Sequence, residues 1–270
     1  MQYLRLIPAK LGLIDTAAFI LQIKRINPDD IFVVSYPKSG STWVSFIIAY
    51  MKTGRTDTIT FKEMEQIVPF VYNSQDLIDS QQSHRIIKTH RMFFDHYPRT
   101  IYIYRDYRDV LVSFYHYQVG LKYFSGSFSE FIRVRPLFNH EGSWTEHLSK
   151  AIQFKEAYPE KMLMISYESL LTDFKVNALE IARFCKFEID DKRLDQIMEK
   201  TSFRNLKENE TKHGSHFMDT TKEHFIREGR IGGWKDTFTK KDLDYLYSDH
   251  LLVSIMERLG YYPDTKSIVR

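Results

Sequence analysis

The fold of this chain is decided by residues 31–43, which have the sequence Ile-Phe-Val-Val-Ser-Tyr-Pro-Lys-Ser-Gly-Ser-Thr-Trp. The first four residues are apolar and favour extended structure, so they predict a buried strand. Pro37 ends this strand because proline cannot extend a central β-ladder. An apolar pattern with helical spacing begins at Trp43. The stretch therefore predicts a strand that turns through small residues into the N-terminus of a helix.

Such a turn can form an anion site, because free backbone N–H groups and the positive end of the helix dipole meet there. Gly40 would allow close backbone approach, and Ser39, Ser41 and Thr42 would add donors beside the charge of Lys38. The alternative is an ordinary strand-to-helix turn capped by Ser or Thr. The stretch is not a Walker A loop, in which the lysine follows the last glycine.

A second strand is predicted at Ile86 and Ile87, and it leads into Lys88-Thr89-His90. Alternate side chains of an extended segment share a side, so Lys88 and His90 should lie together. If this strand is parallel to the first, both residues lie at the carboxyl edge of the sheet, where such folds bind ligands. His90 could be a general base there, with its pKa lowered by the charge of Lys88. Taken alone, a Lys-x-His pattern is a weak signal.

A third strand is predicted over residues 100–104, and Arg105 stands at its end. Arg105 and Ser113, two turns into the next predicted helix, could converge on one phosphate. The alternative is a solvated, mutually paired set of charges that also includes Asp106 and Asp109. Asp106 at a strand end also resembles a Walker B aspartate, which keeps a nucleotide kinase open as a second hypothesis.

Strands alternate with helices along the chain, and a fourth strand is predicted over residues 162–166. This pattern predicts an α/β fold in which helices flank a central parallel β-sheet with P-loop-like nucleotide-binding topology. We expect one domain over residues 1–270, with an N-terminal helical segment at 1–30 and a mobile loop at 204–224. A final helix is predicted over about 240–259. The basic, glycine-containing segment 225–235 could wrap a phosphate.

Composition limits the possible partners and compartment. A net charge of +3 is too small to predict nucleic-acid binding. No apolar run reaches the roughly 18 residues of a membrane span, so no membrane association is expected. Cys185 is the single cysteine, which favours a reducing, cytoplasmic location. We predict no metal site, because no further Cys or His lies at ligand spacing from His213 and His216.

Six separated stretches resemble the cytosolic sulfotransferases in order and approximate spacing. The loop at 36–43 differs from the family pattern Tyr-Pro-Lys-Ser-Gly-Thr-Thr-Trp only at Ser41. The other five stretches are 88–90, 104–113, 167–168, 201–203 and 225–239. The resemblance implies an enzyme that transfers a sulfuryl group from 3′-phosphoadenosine 5′-phosphosulfate (PAPS) to a hydroxyl or amine of a small-molecule acceptor. The product would be 3′-phosphoadenosine 5′-phosphate (PAP).

The resemblance also implies a role for each matching residue. The 5′-phosphosulfate would be held by Lys38, Ser39, Gly40, Ser41 and Thr42. The adenine would be surrounded by Trp43, Tyr167, Thr201 and Phe203. The 3′-phosphate would be held by Arg105, Ser113, Arg227, Glu228 through its backbone, and Gly229. His90 would be the general base, while Lys88 supports the transferring group and Lys38 neutralises the leaving phosphate.

The sequence departs from the family at several of these places. Glu228 replaces a lysine, and we expect its side chain to point to solvent. The family's dimer motif keeps Lys235 and Thr239 but is altered at Lys240 and Asp244, so dimerisation by this segment is in doubt.

The acceptor itself is not fixed by these motifs. Arg91 beside the histidine hints at a polar or anionic acceptor. We expect pocket walls from residues 61–72, 91–97, 115–140 and 205–225. A nucleotide-binding module without turnover is the third hypothesis, since a retained fold does not guarantee catalysis.

Overall fold

A four-stranded parallel sheet lies at the centre of the computed structural model, which describes residues 21–134, 142–215 and 225–263. The strands are β1 (Ile31–Ser35), β2 (Ile86–Thr89), β3 (Arg99–Tyr104) and β4 (Met162–Ser166). Their order in the sheet is β2-β1-β3-β4. The predicted parallel α/β architecture is confirmed, and β2 lies beside β1 as expected. Most of the predicted N-terminal helical segment, residues 1–20, lies outside the described residues.

Both faces of the sheet are buried, which explains why β1 is a continuous apolar run. Phe32 and Val34 belong to one hydrophobic cluster, whereas Ile31 and Val33 belong to the other. Parallel sheets covered by helices on both faces need apolar side chains in both directions. Because all four strands run the same way, their carboxyl ends meet at one edge of the sheet.

Helices cover the two faces and follow β1, β3 and β4, whereas only a 3₁₀ turn separates β2 from β3. They are α1 (Ser41–Thr53), α2 (Phe61–Ile67), α3 (Gln75–Ser80), α4 (Tyr107–Gly120), α5 (Phe128–Val134), α6 (Trp144–Ala157), α7 (Tyr167–Thr172), α8 (Phe174–Cys185), α9 (Asp191–Lys200), α10 (Phe203–His213), α11 (Lys240–Tyr247) and α12 (His250–Arg258). Short 3₁₀ turns occur at Phe94–His96 and Gly233–Asp236. Within the three described ranges, no helix combines the length and apolarity needed to cross a bilayer.

The predicted loop at 204–224 is wrong over its first half, where α10 extends to His213. Ser202 caps this helix by accepting a hydrogen bond from the Asn205 N–H. Leu206, Asn209 and Glu210 form its buried face at helical spacing. Two of these three residues are polar, so hydropathy alone hid the pattern. Residues 216–224 lie outside the described ranges.

The single helix predicted at 240–259 is also wrong, because two helices occupy this segment. Asp249 interrupts the pattern, and its side chain accepts a hydrogen bond from the Leu252 N–H at 3.1 Å. That bond caps a new helix where the amphipathic pattern alone predicts continuation.

Candidate active site

A cavity of about 410 Å³ is lined by residues from the carboxyl edge of the sheet, and it brings the predicted site residues together. The turn after β1 and the first residues of α1 contribute Lys38 to Trp43, and the end of β2 contributes Lys88 and His90. Arg105 and Ser113 follow β3, and Tyr167 follows β4. Thr201 and Phe203 lie where α9 meets α10, and Arg227 to Gly229 form a loop. All of them line the cavity except Ser39, whose side chain is fully buried. The sequence prediction of one shared site is therefore supported by the geometry.

The turn between β1 and α1 has the shape of an anion site rather than a side-chain cap. Gly40 is the N-cap of α1 with φ of +105°, and no side chain of the described ranges caps this helix. A Cβ at position 40 would lie 2.7 Å from Cδ2 of Tyr167, so only glycine allows this packing. The buried Ser39 hydroxyl has no hydrogen-bond partner among the described residues. Such N–H and O–H donors at this turn fit a bound oxyanion.

Lys38 lies between two aromatic rings at the sulfate end of the predicted site. Its Nζ is 4.2 Å from the Tyr117 ring centroid and 3.9 Å from that of Phe225. Burial lowers the pKa of Lys38 to about 7, and the charges of Lys88 and Arg105 act in the same direction. The cation is therefore only partly charged at neutral pH, and an anion beside it would raise its pKa.

Lys88 contacts the start of α1. Its Nζ donates a hydrogen bond to Oγ1 of Thr42 at 2.9 Å, and it lies 4.9 Å from the Phe70 ring centroid. Burial lowers the pKa of Lys88 to about 8. Lys88 thus reaches the anion turn from β2, whereas Lys38 belongs to the turn itself.

His90 has a defined tautomer because its Nδ1 lies 2.7 Å from the backbone carbonyl oxygen of Ser35. A carbonyl can only accept, so Nδ1 carries the proton and Nε2 keeps its lone pair. Burial lowers the pKa of His90 to about 3, and Lys88 adds to the effect. The prediction of a neutral histidine beside Lys88 is confirmed in direction. Phe70 packs edge-on against the ring at 5.3 Å.

A second histidine, His147 of α6, supports the backbone of His90. It is fully buried, and its Nε2 donates a hydrogen bond to the His90 carbonyl oxygen at 3.0 Å. Its Nδ1 accepts from the hydroxyl of Tyr102 at 2.6 Å. The sequence alone does not reveal this residue, since a histidine within a helical pattern carries no local sign of its partner 57 positions away.

Arg105 lies over the ring of Tyr167, with 4.2 Å between the guanidinium carbon and the ring centroid. Its Nη2 donates to the carbonyl oxygen of Arg230 at 3.1 Å, and its buried Nε has no partner among the described residues. Trp43 packs against the same tyrosine ring at 5.4 Å. Arg105 thus connects the aromatic side chains around Tyr167 to the basic loop, residues 225–235.

Gly229 permits the basic loop to pack directly on Phe203. Its φ is +63°, and a Cβ there would lie 2.4 Å from Cδ2 of Phe203. The loop's glycine therefore serves close packing as well as backbone conformation.

Glu228 does not point away into solvent, contrary to the expectation from sequence. Its side chain is 33% exposed and forms ion pairs with Arg227 and with Arg230, the latter at 3.0 Å. Two guanidinium groups within reach hold the carboxylate against the loop.

Two buried carboxylates anchor the basic loop at both ends. Glu210 of α10 accepts from the N–H groups of Phe225 and Ile226, at 2.6 and 2.9 Å. Asp109 of α4 accepts from the N–H groups of Gly232 and Trp234, both at 2.8 Å. The interpretations that placed Asp109 among solvated charges and Glu210 in a mobile loop are wrong, since their exposed fractions are 3% and 0%.

Asp106 is committed to a structural pair. Its carboxylate bonds the Arg108 guanidinium at 2.6 Å and also accepts from the Arg108 N–H at 2.9 Å. These bonds cap α4 and occupy both carboxylate oxygens. The resemblance of Asp106 to a Walker B aspartate therefore has no support in the geometry.

Comparison with known proteins places this chain in a family. Residues 28–249 match the family model described as a sulfotransferase domain. Sulfotransferase 1B1 of Canis lupus familiaris is 32% identical over 251 residues, which cover 83% of this chain and 84% of that protein. Sulfotransferase 1E1 of Homo sapiens is 30% identical over 238 residues, 79% of each chain.

Solved structures have the same fold. Mouse sulfotransferase SULT7A1 complexed with PAP has a TM-score of 0.68 at 23% identity, covering 89% of this chain and 87% of that one. Retinol dehydratase in complex with androsterone and PAP has a TM-score of 0.65 at 20% identity, covering 91% and 83%. The sequence match and the shared fold agree with the motifs that converge on the cavity, and the chain therefore belongs to the sulfotransferase family.

Proposed function

We propose that this sulfotransferase transfers a sulfuryl group from PAPS to a hydroxyl or amine of a small apolar molecule, with His90 as the general base. One observation supports this proposal above the others. A single cavity is lined by four cationic side chains, Lys38, Lys88, Arg105 and Arg227, and by the neutral imidazole of His90. This arrangement suits a nucleotide that is anionic at two separate positions.

His90 would take the proton of the acceptor at Nε2. The Nδ1–H bond to Ser35 holds the ring in place and stabilises the imidazolium as it forms. A pKa of about 3 makes the free histidine a weak base. An anion held against Lys38 and Lys88 would offset their charges and raise that pKa toward neutrality.

Charge that develops on the leaving phosphate oxygen would be stabilised by Lys38 and by the backbone N–H groups at the start of α1. Lys88 would support the transferring group through the same turn, where it bonds Thr42. Such preorganised donors commonly contribute the largest electrostatic share of catalysis. The buried Ser39 hydroxyl would supply a further donor.

The nucleoside would lie between the aromatic side chains of the second half of the cavity. Trp43, Tyr167, Thr201 and Phe203 line the cavity, and Trp43 and Arg105 both contact the Tyr167 ring. Ser113, Arg227 and the backbone at Glu228 and Gly229 would complete the 3′-phosphate site with Arg105. The solved mouse sulfotransferase and retinol dehydratase, which have the same fold, both contain PAP, and this supports PAPS as the co-substrate.

The acceptor would meet aromatic walls close to His90. Phe70, Tyr72, Tyr117 and Phe225 line the cavity, and they belong to three of the four wall segments expected from sequence. The fourth segment, 91–97, contributes no lining residue. Retinol dehydratase structures contain retinol or androsterone, both small and largely apolar. Arg91 does not line the cavity, but its guanidinium lies 5.6 Å from the Tyr72 ring centroid, where it could meet a polar substituent.

The test is transfer of sulfur-35 from labelled PAPS to a panel of phenols, alcohols and amines in the presence of EDTA. The proposal predicts labelled product with at least one acceptor, and no phosphoryl transfer from ATP to the same acceptors when Mg²⁺ replaces EDTA. Binding of PAP without transfer to any acceptor would instead favour a nucleotide-binding module.

Oligomeric state and location remain predictions. Thr239 caps α11 in a capping box with Asp242, and this ties up its side chain within its own chain. We therefore propose that the altered motif around Lys235 and Lys240 does not form the family dimer. We also propose a cytoplasmic location, because the chain has a single cysteine. Sedimentation and cell fractionation would test the two statements.

A further inference from the structure

Glu228 places a negative charge inside the loop proposed to hold the 3′-phosphate. It pairs with Arg227, one of the two arginines assigned to that phosphate, and with Arg230. Burial raises the pKa of Glu228, but the two arginines outweigh this effect and hold the pKa below its usual value. The carboxylate is therefore charged at neutral pH.

The loop does not depend on Glu228 for its shape. Glu210 and Asp109 hold its two ends through backbone N–H groups. Arg230 has a second carboxylate partner in Asp236. Removal of the Glu228 charge would thus leave the loop anchored and would release Arg227 from its pairing.

We propose that Glu228 competes with the 3′-phosphate of the nucleotide for Arg227, so that it weakens binding of PAPS and PAP and hastens release of PAP. This inference rests on the proposed function. A phosphate and a carboxylate both accept bidentate hydrogen bonds from a guanidinium group, so they would compete for the same donors of Arg227. The nucleotide must therefore displace Glu228 or share Arg227 with it, and either route lowers its net affinity.

The competition has a consequence for turnover. Product release limits the rate of many enzymes, and a looser grip on the product shortens that step. Glu228 would therefore lower the affinity for the nucleotide and speed the release of PAP. The family pattern has a cation at this position.

The experiment compares PAP with adenosine 5′-phosphate, which lacks the 3′-phosphate, by calorimetry. The proteins are the full chain and its Glu228→Gln, Glu228→Lys and Glu208→Gln variants. Glu208 lies on the exposed face of α10 and provides the same charge change outside the cavity. We expect Glu228→Gln to bind PAP about five-fold more tightly, the upper effect of a partly exposed ion pair, and Glu228→Lys to gain more.

Affinity for adenosine 5′-phosphate should stay unchanged in all variants, and Glu208→Gln should match the parent protein for both ligands. Unchanged or weaker PAP binding in both Glu228 variants would overturn the inference. So would an equal gain for both nucleotides, because that result signals a general charge effect. A parent protein that binds PAP at neither low nor high salt would overturn the proposed function itself, and the inference with it.

Discussion

The ring of His90 is fixed at the scale of single atoms by the carbonyl oxygen of Ser35 and, through the backbone, by His147. The ammonium group of Lys38 is likewise held in place, because it lies between the rings of Tyr117 and Phe225. Both side chains are half-buried in the cavity wall, and the resulting desolvation shifts both toward their uncharged forms. A bound anion beside them would raise both pKa values and so make Lys38 more fully charged and His90 a stronger base.

The lowered pKa of Lys38 predicts that the affinity for the nucleotide depends on pH. Its pKa of about 7 means that its charge is present below pH 7 and is lost as the pH rises through that value. The PAP dissociation constant of the parent protein should therefore increase between pH 6 and pH 8.5, approaching ten-fold per unit for one linked proton. Lys38→Arg, which stays charged, should show a smaller slope in calorimetric titrations.

Lys88 is retained in both proteins and provides the remaining slope, since its pKa is about 8. Identical slopes for Lys38→Arg and the parent would contradict the assignment of the titration to Lys38.

Alanine substitution should affect PAP binding differently at Gly40 and Gly54, two glycines that both have positive φ. Gly40→Ala would drive a methyl group into Tyr167, whereas Gly54 also has positive φ but has no described heavy atom within 4 Å of the position that a Cβ would take. Each substitution should cost about 1 kcal/mol of stability from backbone strain. Only Gly40→Ala should also weaken PAP binding, by about ten-fold or more, as measured by calorimetry. Equal PAP affinity in the two variants would show that the Gly40 contact with Tyr167 is not part of the nucleotide site.

At the scale of elements, the basic loop gains its position from two helices, α10 shortly before it in sequence and α4 far from it. Glu210 bonds backbone groups 15 and 16 residues later, and Asp109 bonds groups more than 120 residues later. These contacts convert a glycine-containing segment into a defined wall of the cavity.

Glu210→Gln tests this anchoring. An amide offers one acceptor where the carboxylate offers two, and its NH₂ group would face a backbone donor. We expect faster hydrogen exchange at the amides of Phe225 and Ile226 and PAP binding weakened by about ten-fold. The matched variant Glu208→Gln lies on the exposed side of the same helix. Exchange rates that do not differ between the two variants would refute the anchoring role.

At the scale of the whole molecule, Arg85 joins the start of the sheet to the segments around it. Its guanidinium bonds both carboxylate oxygens of Asp30, at 2.8 and 2.5 Å, and also the carbonyl oxygens of Arg25 and Ile78. The exposed fractions of the two side chains are 1% and 0%. This buried pair connects residues that precede β1 and β2.

Asp30→Ala should strongly destabilise the fold, because it leaves a buried guanidinium without its counter-ion. We expect a loss of about 3–5 kcal/mol in the free energy of unfolding, measured with urea. Asp29→Ala removes a more exposed carboxylate that bonds the His84 N–H, and should cost about 1 kcal/mol. A loss below about 1 kcal/mol for Asp30→Ala would show that the pair contributes little.

The sequence allowed prediction of the elements whose signals are local. The apolar run of β1, the turn through Gly40 and the strand before His90 carry their information within a few residues. Glu210 and His147 were missed because their roles depend on partners that the fold brings near from elsewhere. The case of Glu228 is different, since its partners Arg227 and Arg230 are near neighbours in sequence, and only the conformation of the loop turns their guanidinium groups toward the carboxylate.

The most direct test of His90 as the base is single-turnover transfer of sulfur-35 by His90→Asn, with PAP affinity measured on the same preparation. An asparagine can keep a hydrogen bond near the Ser35 carbonyl but cannot accept the acceptor's proton. We predict transfer slowed by at least about a hundred-fold, with PAP bound as tightly as by the parent. Transfer at the parent rate would contradict His90 as the base, and lost PAP binding would show that the histidine serves the nucleotide site instead.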